Sequence, residues 1–252
     1  MKKLLLLSFC ALSLYGASAQ SFKDVLKKAT TKDSAGKISM GNVLQKGGVK
    51  SVLSNDEIVA GLKQALEVGT GKATTKLSAA DGFLKDAAIK ILMPAEAIKV
   101  EKKLRAIGMG KQVDNAITSM NRAAEDAAKS ASPIFVNAIK GMSFNDALSI
   151  LRGSEVAATN YLNSKTSAAL RAAFAPVIEK SLQKVNATQH WNTVFTTYNK
   201  FSAEKVETDL TAYVTEKALA GIFYGLGEEE KKIRKDPMAR STELLKKVFA
   251  NQ

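Results

Sequence analysis

From Ser54 to Phe249 the apolar residues of this chain recur at three- and four-residue spacing, and no convincing run of β-branched residues alternates with polar ones. A chain patterned this way forms helices that each carry one apolar stripe, and those stripes must be buried against other helices. The SNDE at Ser54–Glu57 reads as a capping box, opening a helix with Ile58, Leu62, Ala65 and Leu66 on one face and Gly69 and Gly71 near its end. A second helix is expected over about 79–92, stopping before Pro94. Ala97, Val100, Leu104 and Ile107 make a third stripe, ended by Gly108-Met109-Gly110. Val113, Ile117, Met120, Ala124 and Ala127 or Ala128 make a longer one that ends before Pro133. Two compact pieces follow, one with Phe135, Ala138, Ile139 and Met142, the other capped by Ser143 with Asp146 in its first turn.

Ser154 is placed to cap a segment leading to Tyr161, and Leu170, Phe174, Val177, Ile178, Leu182 and Val185 form the next stripe. Pro176 predicts a kink or a break after Phe174. Trp191, Val194, Phe195 and Tyr198 repeat the helical spacing, and Val206, Leu210, Tyr213 and Val214 open a helix running to about Leu226. Aromatic residues are only 6% of the chain and Ala is frequent at helix-facing positions, which favours close helix packing. The expected fold class is all-α: a single multi-helix bundle of antiparallel and crossing helices with no sheet and no internal repeat.

The first residues, MKKLLLLSFCALSLYGASAQ, have the three parts of a secretory leader in order: Lys2-Lys3, an apolar run from Leu4 to Leu14, and Ala17-Ser18-Ala19. The apolar run is shorter than the roughly 20 residues a membrane span needs. Cleavage near Ala19-Gln20 is expected, with residues 1–19 as signal peptide, 20–50 as a loosely ordered Lys-, Gly- and Ser-rich segment, and 51–252 as the helical domain. Export to the periplasm or beyond the cell follows. Cys10 is the only cysteine and leaves with the leader, so disulfide and thiol chemistry leave with it.

The formal net charge is +13, or +11 without Lys2 and Lys3. Export argues against nucleic acid and points to anionic envelope components or to plain solubility. His190 is the only histidine, beside Trp191 near a helix start, and reads as a capping or packing residue rather than a catalytic base. One His and no retained Cys leave no ordinary zinc site, no Asp-rich calcium loop occurs, and no cofactor or metal is expected. GLGEEE lacks both the phosphate-loop Lys and the dinucleotide-binding spacing.

Carboxylates and arginines remain. In MNRAAEDAAK, Asn121–Glu125 and Arg122–Asp126 are i, i+4 pairs, and Arg122–Glu125 is i, i+3. Buried, Asn121, Arg122, Glu125 and Asp126 make a polar network that fixes helix register or lines a pocket; exposed, they are ordinary surface pairs. Lys99, Lys102, Lys103 and Arg105 beside the Val100 stripe are compatible with an anionic membrane surface, but without Trp or Phe the stripe reads as core-facing. Trp191, Phe195, Tyr198, Phe201, Tyr213, Phe223 and Tyr224 read as core by spacing and, alternatively, as a ligand groove.

The stretch EEEKKIRKDPMARSTELLKK reads as two helical pieces. Glu228–Glu230 follow Gly227 in a first turn, with Glu228–Lys232 and Glu230–Arg234 as i, i+4 pairs. Asp236-Pro237 then starts a final helix burying Leu244, Leu245 and Val248 or Phe249. Arg234 and Arg240 are the residues local rules need least, and they are expected to brace this helix against a carboxylate elsewhere.

Read in order, SNDEIVAGLKQALEVG, MNRAAEDAAKSASPIF, DALSILRG and GIFYGLGEEEKKIRKDPMARSTELLKKVF resemble an exported bacterial domain-of-unknown-function family, number 4197. The resemblance runs from about Leu53 to Phe249. It implies a signal peptide, an all-helical domain and no assigned activity, so no catalytic residue is carried over. The leading expectation is a non-enzymatic binding protein for an anionic envelope component or a protein partner. A carrier of a small apolar or lipid ligand in an inter-helix cavity is the alternative, followed by an enzyme with a carboxylate/Arg site. The candidate binding residues are Asn121, Arg122, Glu125, Asp126, Arg234 and Arg240.

Overall fold

The structure, a computed structural model, describes residues 54–201, 205 and 209–249. The leader and the segment expected to be loosely ordered lie outside them, as do the side chains of Val194, Phe201, Val206 and Leu245. The described residues form nine α-helices, two 3-10 turns and no strand. In chain order these are α1 (Asn55–Ser78), α2 (Ile98–Ala106), α3 (Gly110–Ala128), α4 (Ala131–Lys140), α5 (Phe144–Arg152), α6 (Ala157–Gln183), α7 (Ala187–Phe201), α8 (Leu210–Lys235) and α9 (Glu243–Val248). The fold is an all-α bundle.

Small side chains set its centre. Ala123, Ala124, Ala127 and Ala128 of α3 are fully buried, so α3 packs closely on α6 and α8, which also pack on each other. Phe135, Phe174, Leu170, Ile178 and Ile222 fill the space between these helices, and α1 lies against α3, α4, α5 and α8. The two capping boxes form as the spacing predicts. Ser54 accepts from the Glu57 amide while Glu57 accepts from the Ser54 amide, and Ser143 and Asp146 do the same for α5.

Three local expectations are corrected. Residues 79–94 are not a helix but a chain of isolated turns, threaded through Asp81 at a left-handed φ of 70°. A Cβ on the next residue, Gly82, would sit 2.4 Å from the Lys76 carbonyl oxygen, so only glycine makes this turn. Second, α6 runs through Pro176 without the break that is one of the two outcomes expected after Phe174. Pro176 and Ala172, whose carbonyl loses its helical partner, are both exposed, so the proline falls on the solvent side of the helix. Third, α8 is one helix to Lys235, and the glycines near its end are packing sites rather than stops.

Gly221 of α8 shows the reason most sharply. A Cβ there would meet the Phe83 ring at 2.5 Å, and Phe83 is fully buried. Gly227 lies under Val156 and Thr159, where a Cβ would reach only ordinary contact at 3.6 Å. Gly221→Ala is therefore expected to destabilise by about 1–3 kcal/mol through overpacking, despite the higher helix propensity of Ala. Gly227→Ala should be near neutral. A comparison of their urea midpoints checks this, and equal midpoints would contradict it.

Candidate functional site

The Asn121 cluster forms, but it faces the chain's own backbone. Asn121 is fully buried; its carbonyl accepts from the Ile91 amide at 2.8 Å, and its side-chain amide donates to the carbonyls of Ile91 at 2.8 Å and Ile117 at 2.7 Å. One side chain thus pairs both backbone groups of Ile91, as a neighbouring strand would. One helical turn on, buried Glu125 accepts from the amides of Phe83 at 3.1 Å and Leu84 at 3.2 Å. Its other oxygen receives Arg122 at 2.6 Å, and Arg122 also reaches Asp81 at 2.5 Å.

Each contact explains why 79–94 is not helical: the amides a helix would use are taken by side chains of α3. Lys85 and then Arg122 hold the Asp81 carboxyl below its ordinary range, and Glu125 and then Asp81 push the Arg122 guanidinium further up. Asp126 belongs to another face. It pairs with Lys129 at 2.8 Å and accepts from the Ser181 hydroxyl at 3.1 Å, rather than meeting Arg122.

Arg234 and Arg240 are also turned inward. The Arg234–Glu230 pair forms in the expected i, i+4 register at 2.9 Å, with both side chains only 9% exposed. Glu228 and Glu229 instead take Lys231 and Lys232 at i, i+3. Glu230 goes further: its oxygens accept from the amides of Ala158 at 2.9 Å and Thr159 at 2.8 Å, and from the Thr159 hydroxyl at 2.9 Å. These are orphan donors of the first turn of α6, so Glu230 caps that helix from another element. Arg234 donates to the Ile150 carbonyl at 2.7 Å and reaches Leu151 at a long 3.5 Å, meeting the carbonyl end of α5. One ion pair on α8 therefore closes the α5–α6 junction from both sides. Arg240 donates to the carbonyls of Ile233 at 3.0 Å and Arg234 at 2.9 Å, closing the end of α8. The Phe249 ring lies 5.9 Å from Arg234 and 5.8 Å from Arg240, so the C-terminal segment is held between two guanidinium groups. The carboxylate on Arg234 is thus its i, i+4 neighbour Glu230 rather than one from elsewhere, and the hydrogen bonds described for Arg240 go to carbonyls.

A different concavity is open to a ligand. A cleft of about 480 Å³ lies between α2, α3, α7 and the start of α8. Val100, Leu104, Val113, Ala116, Trp191 and Phe195 are among its lining residues. The rings of Trp191 and Phe195 meet at a tilt of 44° with centres 4.3 Å apart, and Tyr213 lies nearly parallel to Trp191 at 6.5 Å. His190 also lines the cleft and is exposed at its edge. Tyr213 donates to the Leu92 carbonyl at 2.8 Å, and burial first and Glu96 second push its hydroxyl up to about 12, so it stays neutral. Tyr213 belongs to a second depression of about 840 Å³ beside the cleft, where Lys90, Lys205 and Lys217 stand with Glu96. Met93 lines both spaces.

The expected aromatic groove thus splits. Trp191 and Phe195 line the cleft, whereas Phe223 packs edge-on against Phe135 in the core and Tyr224 is exposed. The helix carrying Lys99 to Arg105 has the expected solvated back: Lys99, Lys102 and Lys103 are exposed, while Val100 and Leu104 are half-buried, packing against the core and also lining the cleft. Nothing local in sequence distinguishes a stripe that lines a cleft from one that fills a core. Among the described residues no three His, Cys, Asp or Glu side chains are disposed to hold a metal ion, and no helix is long and apolar enough to cross a membrane.

No curated protein and no solved structure matches the chain. A family described as "Protein of unknown function (DUF4197)" matches residues 52–250, well over half of the 252 residues and nearly all of those forming the bundle. The chain belongs to that family.

Proposed function

We propose that this is a non-enzymatic binding protein for an anionic amphiphile, with the apolar part in the α2–α3–α7 cleft. The observation that carries this is the cleft itself: an apolar concavity of about 480 Å³ with the buried, tilted Trp191–Phe195 pair in its wall. That size lies within the range of small-molecule sites, and each methylene buried there contributes about 0.8 kcal/mol. The neighbouring depression with Lys90, Lys205 and Lys217 favours an anionic end group. The leader pattern at residues 1–19 and the net charge of +11 without its two lysines support an exported protein working on envelope components. Asn121, Arg122 and Glu125 then serve as internal clamps on the segment that leads to Met93 of the cleft, while Arg234 and Arg240 brace the ends of α5, α6 and α8 and Asp126 pairs on another face.

Trp191 is the only tryptophan and is 5% exposed, so its emission reports on this cleft alone. Titration with palmitate is expected to shift that emission saturably. Ala116→Phe, which puts a ring into the cleft, should weaken binding by about tenfold or more, the equivalent of losing about two buried methylenes. Unsaturable emission in the parent protein, or equal affinity in the variant, would overturn the proposal. A carboxylate/Arg enzyme is less favoured, because Asn121, Glu125 and Arg122 bond to the chain itself.

A further inference from the structure

Seven large apolar side chains are exposed among the described residues, and five of them stand around one opening. Met109 and Val185 line the cleft and are themselves exposed. Ile98 begins α2 and Ile107 follows its last residue, so the two bracket the helix that covers the cleft. Leu92 lies on the approach, in the basic depression next to Met93. Ile107 is 71% exposed and precedes Gly108, whose φ of 86° turns the chain sharply. Ile107 and Met109 therefore form an apolar tip at the edge of the mouth.

The charge around this rim has one dominant sign. Lys99, Lys102 and Lys103 are exposed, and at 100° per residue they fall within about 100° of arc on the side of α2 away from Val100 and Leu104. Lys111 and Lys184 are exposed beside Met109 and Val185. The acidic groups of the same region are Glu96, Glu101 and Asp114, with Asp209 beside Leu210 and Asp126 near Lys184. Glu101 and Asp114 are both taken by Arg105, at 2.9 Å and 2.8 Å. With Glu101 and Asp114 engaged by Arg105, Lys102 and Lys103 dominate the outward face of α2, next to apolar side chains that the described elements leave exposed.

We infer that the mouth of the cleft is a docking surface for an anionic lipid bilayer, with Ile107 and Met109 entering the interface and Lys99, Lys102 and Lys103 against the headgroups. Charge complementarity selects this occupant. A second copy of the chain would bring Lys102 and Lys103 against the same lysines, and a purely apolar partner would leave these two without counter-charge. A bilayer supplies an apolar layer under a plane of negative charge, matching a tip of Ile and Met flanked by Lys. A cleft opening onto that surface would take up or release an amphiphile without exposing its chain to water. The docking surface stands on the rim alone, whether or not the cleft holds a lipid.

Flotation with vesicles of phosphatidylglycerol and phosphatidylcholine, against vesicles of phosphatidylcholine alone, tests it. Binding is expected to the anionic vesicles and to weaken as salt shortens the range of the attraction. Ile107→Asp and the double variant Lys102→Glu/Lys103→Glu should each weaken it on the order of tenfold or more. Lys246→Glu/Lys247→Glu on α9 reverses the same charge elsewhere and should change binding far less. Ala116→Phe should bind vesicles normally, so loss of palmitate binding with intact docking sinks only the ligand reading. Equal binding to neutral and anionic vesicles, no binding to either, or equal loss in the α9 control would overturn the inference. So would self-association without vesicles that Ile107→Asp abolishes, which would assign the rim to a second copy of the chain.

Discussion

Replacing Arg234 with Ala is expected to lower the stability of the bundle by about 3–5 kcal/mol, the cost of stranding the partner of a buried ion pair. Glu230 would remain 9% exposed without its counter-charge, and the Ile150 carbonyl would lose its donor. A control lies two residues away. Lys232 pairs with Glu229 at 2.6 Å but is 60% exposed, so Lys232→Ala should change stability by less than about 0.5 kcal/mol. The double variant Arg234→Met/Glu230→Leu separates two accounts of the pair. A mere ion pair can often be replaced by apolar residues at little cost. Here Glu230 also caps α6 through Ala158 and Thr159, and a leucine cannot accept from those amides. The double variant should therefore stay destabilised by about 1–3 kcal/mol. Recovery of the parent melting temperature would show that the cap is worth nothing.

The second large effect belongs to Glu125 and Asn121. Glu125→Ala removes the acceptor of the buried Phe83 amide and the half-buried Leu84 amide, and the loss should be on the order of 3 kcal/mol. Asn121→Ala orphans the amide and the carbonyl of Ile91 and should cost a similar amount. The two effects should be transmitted to one place. Residues 79–94 have few backbone bonds of their own, so amide exchange at Phe83, Leu84 and Ile91 should accelerate ahead of that in α6. Met93 ends this segment and lines the cleft, so palmitate affinity should fall although neither side chain lines it. Unchanged urea midpoints with unchanged exchange at those amides would contradict the clamp.

The contrast between α5 and residues 79–94 shows what was legible in the sequence. Ser143 and Asp146 lie three residues apart and satisfy each other, so the start of α5 can be read directly. The amides of Phe83 and Ile91 find their partners 42 and 30 residues downstream, and no local pattern announces such a pairing. Glu230 is the same case at larger range. Its bond to Arg234 follows from i, i+4 spacing, whereas its service to α6, 71 residues away at Thr159, appears only in the fold. Gly227 was legible as a possible stop because glycine ends helices; in the bundle it is the point where α8 passes under Val156 and Thr159. The candidate residues were recognisable as polar groups needing partners. That those partners are the chain's own backbone, and that the open concavity lies at Trp191 instead, required the packed structure.

Native mass spectrometry of the protein taken gently from its own cell envelope tests the central claim most directly. The account predicts one bound amphiphile per chain, present in the parent protein and lost or much reduced in Ala116→Phe, with the helical content of both unchanged. A bare polypeptide mass in the parent, under conditions that preserve the fold, would contradict it.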